Sequence, residues 1–249
     1  MFALSSTGTE RVKTTGDPFD TYLRVRVKEG RLYPDDVVRQ LPLVPSDHPL
    51  YSEWTARSAS CNRLTSYLSR FRPRTTVLEL GCGNGWLANN IARSAGASVV
   101  GLDRNSVELR QAQRLFGDRK EMSWIVTDIF CAPFRARTFD VVVIASAIQY
   151  FADLKGLFET LLPLLTTGGE IHILDSPLYS PEDLAAARDR SRQYYDGLGV
   201  PEMAAYYHHH SAAALASYNL EWLYIPPRER NRGAVRDSPF PWVCLRPDC

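Results

Sequence analysis

Lysine is nearly absent from this sequence: its 249 residues hold 4 Lys against 25 Arg. The skew fits genomic base composition and carries no functional reading of its own. Cysteine is also scarce. Five stand singly, at Cys61, Cys82, Cys131, Cys244 and Cys249, with no CxxC pair. That excludes a disulfide framework, points to no metal site, and predicts reduced thiols in a cytoplasmic protein. Long apolar runs are missing. The longest, Val141 to Ile148, falls well short of the roughly 20 residues of a membrane helix. The opening MFALSSTGTE has no basic stretch followed by an apolar block, so no secretory signal is expected. Repeats and low-complexity tracts are absent too. An apolar fraction of 45% excludes wholesale disorder.

Charge of one sign is lacking overall, since the net is +1, but not locally. Residues 1–74 carry +4, residues 75–224 carry −5 and residues 225–249 carry +2. Neither basic end is dense enough for a nucleic-acid arm.

The pattern of elements changes at residue 75. Before it, residues 1–16 are polar and expected to fray. Pro18 suits the first position of a short helix running to about Glu29. Prolines at 34, 42, 45 and 49 mark an irregular stretch. Trp54, Cys61, Leu64, Tyr67, Leu68 and Phe71 keep helical spacing, which predicts a helix over Tyr51–Phe71. After it, short apolar runs at 75–81, 98–103, 122–128, 139–147 and 168–176 alternate with helical stretches at 85–96, 106–117 and 154–165. Such alternation predicts a parallel sheet covered on both faces. Residues 211–218 read as a helix, and 220–225 and 241–246 as strands. The connection 226–240 has no apolar helical period, so the last two strands should be antiparallel neighbours. The expected fold is α/β: a Rossmann-like, doubly wound, seven-stranded sheet with its last strand reversed. A helical extension over 1–74 precedes the domain 75–249, which carries a helical lid insertion over 177–210.

Glycines recur at 81, 83 and 85, between the first strand and its helix. A strand turning tightly into a helix needs glycine where a Cβ would clash. The helix start then offers free N–H groups. Asp103 ends the second strand, 22 residues after Gly81. In nucleotide-binding α/β folds an acidic residue there accepts hydrogen bonds from ribose hydroxyls. The third glycine of the dinucleotide form is missing. Glu79, two residues before Gly81, would repel a phosphate and suits a cationic ligand.

This constellation resembles motif I of the class I S-adenosylmethionine-dependent methyltransferases, E/D-x-G-x-G-x-G, and the reversed last strand is similar to theirs. The resemblance is strong over about residues 75–175 and looser over 211–246. It does not reach the first 50 residues or 177–210. It implies S-adenosyl-L-methionine as cofactor. Gly81, Gly83 and Gly85 would shape the loop under its methionine part. Glu79 would orient the loop or, through water, the amino group. Asp103 would bind both ribose hydroxyls, with Arg104 beside it. Asp128 would meet the adenine amino group, with Ile129 alongside. Ala145 and Ser146 would line the methionine carboxylate and the methyl group. Asp128 has a simpler alternative as the cap of the turn after its strand, and Asp103 as the cap of the helix from Ser106.

Methyl transfer from a sulfonium is an in-line displacement that needs alignment and sometimes a base. Ligands of open α/β sheets sit at the carboxyl ends of the strands. That nominates Gln149 and Tyr150 after the fourth strand, and Asp175, Ser176 and Tyr179 after the fifth. His172, mid-strand, reads as a core histidine before a base. The insertion opens on Ser180-Pro181-Glu182-Asp183, a capping-box pattern. Its helix is poor in aliphatic residues, and with Tyr194, Tyr195, Tyr206 and Tyr207 it reads as a lid. His208, His209 and His210 follow, and cannot all face one ligand. The expected base is His209 or His210, the alternative a solvated run.

The favoured function is methyl transfer to an oxygen or nitrogen of a small polar or aromatic molecule. RNA methylation and non-catalytic cofactor binding are the alternatives. The missing basic patch disfavours nucleic acid, and no N/D-P-P-Y/F motif follows the fourth strand. Arg228, Arg230, Arg232 and Arg236 read as a solvated hairpin. Residues 1–50 would serve as a lid or as the arm of a homodimer, and no membrane association is expected.

Overall fold

A computed structural model describes residues 18–71, 74–227 and 237–247. Residues 1–16, the four arginines between 228 and 236, and Cys249 lie outside the described residues. The extension forms α1 (Pro18–Lys28), α2 (Asp35–Gln40) and α3 (Tyr51–Leu68). The alternating region follows as β1 (Thr76–Leu80), α4 (Trp86–Ala95), β2 (Ser98–Asp103), α5 (Ser106–Phe116), β3 (Met122–Val126), β4 (Phe139–Ala145), α6 (Leu154–Leu161) and β5 (Leu165–Leu174). Then come β6 (Leu178–Tyr179), α7 (Leu184–Gly197), β7 (His210–Ser211), β8 (Asn219–Tyr224) and β9 (Trp242–Arg246).

The main sheet has seven strands in the order β3-β2-β1-β4-β5-β9-β8. The five from β1 to β5 pair in parallel. β9 runs antiparallel to both β5 and β8, so it is the reversed strand. The period-2 geometry of a strand explains why each apolar run is continuous. Val77, Val141 and Val143 join the core on one face, under α3 and α4. Leu78, Leu80, Val142 and Ile144 join the core on the other, under α6. Each fully buried aliphatic side chain stabilises the fold by about 1.5–3 kcal/mol.

α3 belongs to the first of these cores. Its Leu64 and Leu68 pack in the same cluster as Val77 and Val141. The boundary at residue 74 therefore divides the sequence but not the core. Truncating Leu64, fully buried, should cost about 2–5 kcal/mol.

Three local readings are corrected. The helix from Leu154 stops at Leu161 and tightens into a 3-10 turn over Leu162–Leu164. Pro163 cannot donate to the helix ladder and crowds the preceding turn, and β5 starts at Leu165 instead of near Gly168. Residues 211–218 hold one 3-10 turn, Ala212–Leu215, in place of a helix. Ser211 caps that turn through the Ala213 amide, but an alanine run has too little apolar area to hold a longer amphipathic helix. Ser180 does not cap its helix through the backbone. Its hydroxyl donates to the Asp183 carboxylate at 2.8 Å, and a 3-10 turn over Pro181–Asp183 precedes α7.

The insertion is tied at its base by parallel pairing of β6 with β7. Above it, Val25 of α1 packs with Tyr195, Val200 and Met203 in a third, small core. Arg24 pairs with Glu202, and the Tyr194 hydroxyl donates to Glu29. The extension and the insertion thus meet over the carboxyl ends of the strands. No helix among the described residues is long and apolar enough to cross a membrane.

Candidate active site

The strand order reverses between β1 and β4, where an open α/β sheet leaves a crevice. Both sides of that crevice are tightly specified. Gly81, Gly83 and Gly85 all have positive φ, at 77°, 52° and 75°. A Cβ on Gly81 would lie 2.6 Å from the Cβ of Ala147, and one on Gly85 2.4 Å from the Trp124 ring. Gly83 is limited by conformation alone, since the nearest atom would be 3.7 Å away. Two non-glycine residues, Ser146 after β4 and Asp175 after β5, also have positive φ, 52° each. Such backbone strain concentrates where geometry serves a site.

Asp103 holds this loop. Its Oδ2 accepts the Gly83 amide at 2.7 Å and its Oδ1 the Asn105 amide at 2.7 Å. The helix cap at Ser106 is Asn105, not Asp103. Burial raises the Asp103 carboxyl to about 6, against the pull of those amides. Glu79 is buried, and burial lifts it to about 8. Its Oε2 has no hydrogen-bond partner. An orphaned carboxylate oxygen at the wall of a cavity is what an ammonium group would satisfy. With the open glycine loop, this fits S-adenosylmethionine, whose amino group is cationic and whose ribose offers two donors.

Asp128 takes the simpler of its two expected roles, as the cap of the turn after its strand, and also pairs with Arg104. Oδ1 accepts the Phe130 amide at 3.1 Å, which caps a 3-10 turn over Ile129–Cys131. Oδ2 pairs with Arg104 at 2.9 Å. Arg104 lies 4.3 Å from the centroid of Phe19 on α1. Asp128, Ile129, Ala145 and Ser146 line one continuous cavity with Glu79 and the glycine loop.

α3 supplies residues that sequence reading passed over. Glu53, Arg57 and Ser60 recur at helical spacing on one face, a polar stripe beside the apolar one. Arg57 donates through Nη1 to Ser146 Oγ at 3.0 Å and through Nε to Glu53 at 3.0 Å. Arg31 grips both oxygens of Glu53 at 2.6 and 2.7 Å. Burial pushes the Glu53 carboxyl up, but the two guanidinium groups outweigh it and hold it at about 2. Ser60 donates to Asp175 Oδ1 at 2.6 Å, and Ser238 donates to the same oxygen at 3.1 Å. Burial raises the Asp175 carboxyl, opposed by the charge of Arg57. Asp175 is thus a group held through Oδ1 at the strand end.

The cavity has a volume of about 870 Å³ and runs from the glycine loop to the lid. That is within the range of sites for small molecules. Tyr150 lines it. Its ring meets Tyr22 of α1 edge-on at 5.5 Å and Tyr207 of the lid at 6.1 Å. Tyr195 continues the chain at 6.0 Å from Tyr207. Burial raises all four phenols, so they stay protonated near neutrality.

The histidines are placed differently from expectation. His209 and His210 do not line the cavity. His209 Nε2 meets Ser191 Oγ at 2.8 Å, and His210 Nε2 meets the Ile148 carbonyl at 3.2 Å. His209 packs against the rings of Tyr179 and Tyr207, and His210, which opens β7, is turned to the segment after β4. His208 is the histidine at the cavity wall. Its amide donates to the Gln149 carbonyl at 2.7 Å. Its ring is half-buried, burial lowers its pKa, and it is therefore neutral near pH 7. His172 is fully buried away from the cavity. Its Nδ1 accepts the Trp242 N–H at 3.1 Å, which leaves Nε2–H to face Glu170 at 3.1 Å. That tautomer makes it a satisfied core group. It also denies Nε2 to a metal, although Glu170, His172 and Cys244 cluster closely.

Residues 77–169 match a family described as Methyltransferase domain. Those residues carry a methyltransferase domain, and the fold around them is that of the class I S-adenosylmethionine-dependent methyltransferases. Among curated relatives, a sterol 24-C-methyltransferase of Eremothecium gossypii is 30% identical over 172 residues, 67% of this chain and 44% of that protein. The chain spans half or less of the length of the curated relatives it matches. Among solved structures, geranyl diphosphate C-methyltransferase from Streptomyces coelicolor A3(2) has the same fold, with a TM-score of 0.58 and 18% identity over 93% of this chain and 98% of that one. A phosphoethanolamine N-methyltransferase of Haemonchus contortus gives 0.57 at 16% identity, over 84% of this chain and 47% of the other.

Proposed function

We propose that this protein transfers a methyl group from S-adenosylmethionine to an oxygen or nitrogen of a small, largely aromatic molecule enclosed beneath the lid. The observation that carries this reading is the single cavity joining the glycine loop to a tyrosine-lined roof. When bound, the cofactor supplies an electrophilic methyl group. The chain's own residues do the rest. Glu79 and Asp103 hold the amino group and the ribose. The tyrosines hold a flat acceptor edge and face, and exclude water. His208, neutral and at the wall, takes the proton released from the accepting atom. The tyrosines that α1 and α7 bring over the cavity suit a small flat acceptor, which supports a small substrate.

A second reading is transfer to carbon. The sterol 24-C-methyltransferases among the relatives favour it, as does the run of four tyrosine rings, whose π-electrons can face a cationic carbon. Deuterated-methyl cofactor incubated with metabolite extract, total RNA and total protein separates these readings. The expected result is a mass shift in the small-molecule pool, and fragmentation then locates the methyl on a heteroatom or on carbon. Label confined to RNA or protein, or absent everywhere, would sink the proposal.

A further inference from the structure

The arginines at the cavity wall are not equivalent. Arg26 pairs with Glu108 at 3.2 Å, Arg31 with Glu53 at 2.6 Å, Arg57 with Glu53 at 3.0 Å and Arg104 with Asp128 at 2.9 Å. Arg190, on the cavity side of α7, has no carboxylate within ion-pair distance among the described residues. Its neighbours Asp189 and Arg192 pair with each other and leave it out. Its side chain hydrogen-bonds the Tyr179 hydroxyl of β6, which also lines the cavity.

The α1 end of the cavity carries both signs, Arg26 and Arg31 beside Glu29, Glu53 and Glu108. At the β6 end, Arg190 lies beside Tyr179 and acts on His209. Arg190 is solvent-exposed at the cavity wall, open to an anion that enters the cavity. Its planar fork matches a carboxylate or a phosphate, and a tyrosine O–H beside it can donate a further hydrogen bond.

We infer that Arg190, with Tyr179, recognises an anionic oxygen group on the substrate, a carboxylate or a phosphate, at the β6 end of the cavity. This rests on the reading of the cavity as the methyl-acceptor pocket. It places the acceptor atom at the other end of the molecule, toward Ser146 and the glycine loop. The anion would orient the substrate, and its absence from a candidate would lower affinity more than the chemical step.

The test is calorimetric and needs no turnover. Benzoate, phenyl phosphate and neutral phenol are titrated into the protein with S-adenosylhomocysteine present. Benzoate or phenyl phosphate should bind more tightly than phenol, and which of the two wins assigns the group. Arg190→Gln should weaken the preferred anion at least about tenfold and leave phenol and S-adenosylhomocysteine unchanged. Arg190→Lys should fall between. No preference for either anion over phenol, equal anion affinity in Arg190→Gln, or a parallel loss of phenol would each overturn the inference. Failure of the wild type to bind S-adenosylhomocysteine would instead overturn the methyltransferase reading, and is read separately in the same titrations.

Discussion

Arg57 donates a hydrogen bond from Nη1 to Ser146 Oγ over 3.0 Å, and the two residues are 89 apart in sequence. The bond joins the extension to the end of β4, where Ser146 sits at positive φ. The cavity wall at Ser146, which the proposed function gives to the methionine end of the cofactor, is therefore built by two parts of the chain. α3 is as much a wall of the site as the glycine loop is.

Arg57→Ala should weaken S-adenosylhomocysteine binding about tenfold, or ~1.4 kcal/mol. Thermal stability should fall only slightly, because Arg31 still pairs with Glu53. Calorimetry on the folded variant checks this. An unchanged affinity would mean that α3 only packs.

Cofactor binding should release a proton at pH 7. Glu79, at about 8 in the free protein, is about nine-tenths protonated there. A cationic amino group beside it favours the carboxylate, so the proton leaves. Binding heats measured in buffers of different ionisation enthalpy should show close to one proton released, and Glu79→Gln should abolish the difference. The same shift governs stability. The folded pKa lies above the ordinary 4.5, so the free protein is most stable below about 4.5 in this respect and loses that contribution as pH rises through 8. Glu79→Gln should flatten that decline in a melting series.

Asp103→Ala should weaken cofactor binding by about a hundredfold, since it removes the ribose acceptor and frees the Gly83 amide. In the wild type, affinity should fall as pH drops through about 6, where burial places the Asp103 carboxyl. Affinity that is flat from pH 5 to 8 would remove the ribose assignment.

The three glycines should not fail alike. Gly85→Ala and Gly81→Ala would place a Cβ at 2.4 Å from Trp124 and 2.6 Å from Ala147, so both should lose several kcal/mol of stability along with cofactor binding. Gly83→Ala meets no close atom and pays only the left-handed backbone, about 1–2 kcal/mol. It should fold and bind with reduced affinity. Melting temperatures of the three would rank them.

His208→Ala should lower turnover at least about a hundredfold without changing cofactor affinity. His209→Ala should instead lower stability by about 1–2 kcal/mol through loss of the Ser191 contact. If His208→Ala retains full turnover on a heteroatom substrate, the base lies elsewhere.

The sequence by itself determined the sheet and the glycine loop. Short continuous apolar runs such as Val141–Ile144, alternating with helical stretches, mark strands buried on both faces, and glycines two apart in front of a helix have a local cause. Asp103 and Glu79 were placed for the same reason, since strand position brings both carboxylates to the cavity wall. The tertiary structure decided the rest. Which of His208, His209 and His210 faces the cavity depends on how β7 pairs with β6, a contact across the whole insertion. Glu53, Arg57 and Ser60 were visible as a polar stripe, but nothing local says that this stripe meets Ser146 and Asp175. Arg190 stands out only because the other cavity arginines find carboxylates from distant elements. Backbone propensity and burial are written locally and read directly; a site assembled by packing helices over strand ends is written in long-range contacts, and only the folded chain displays it.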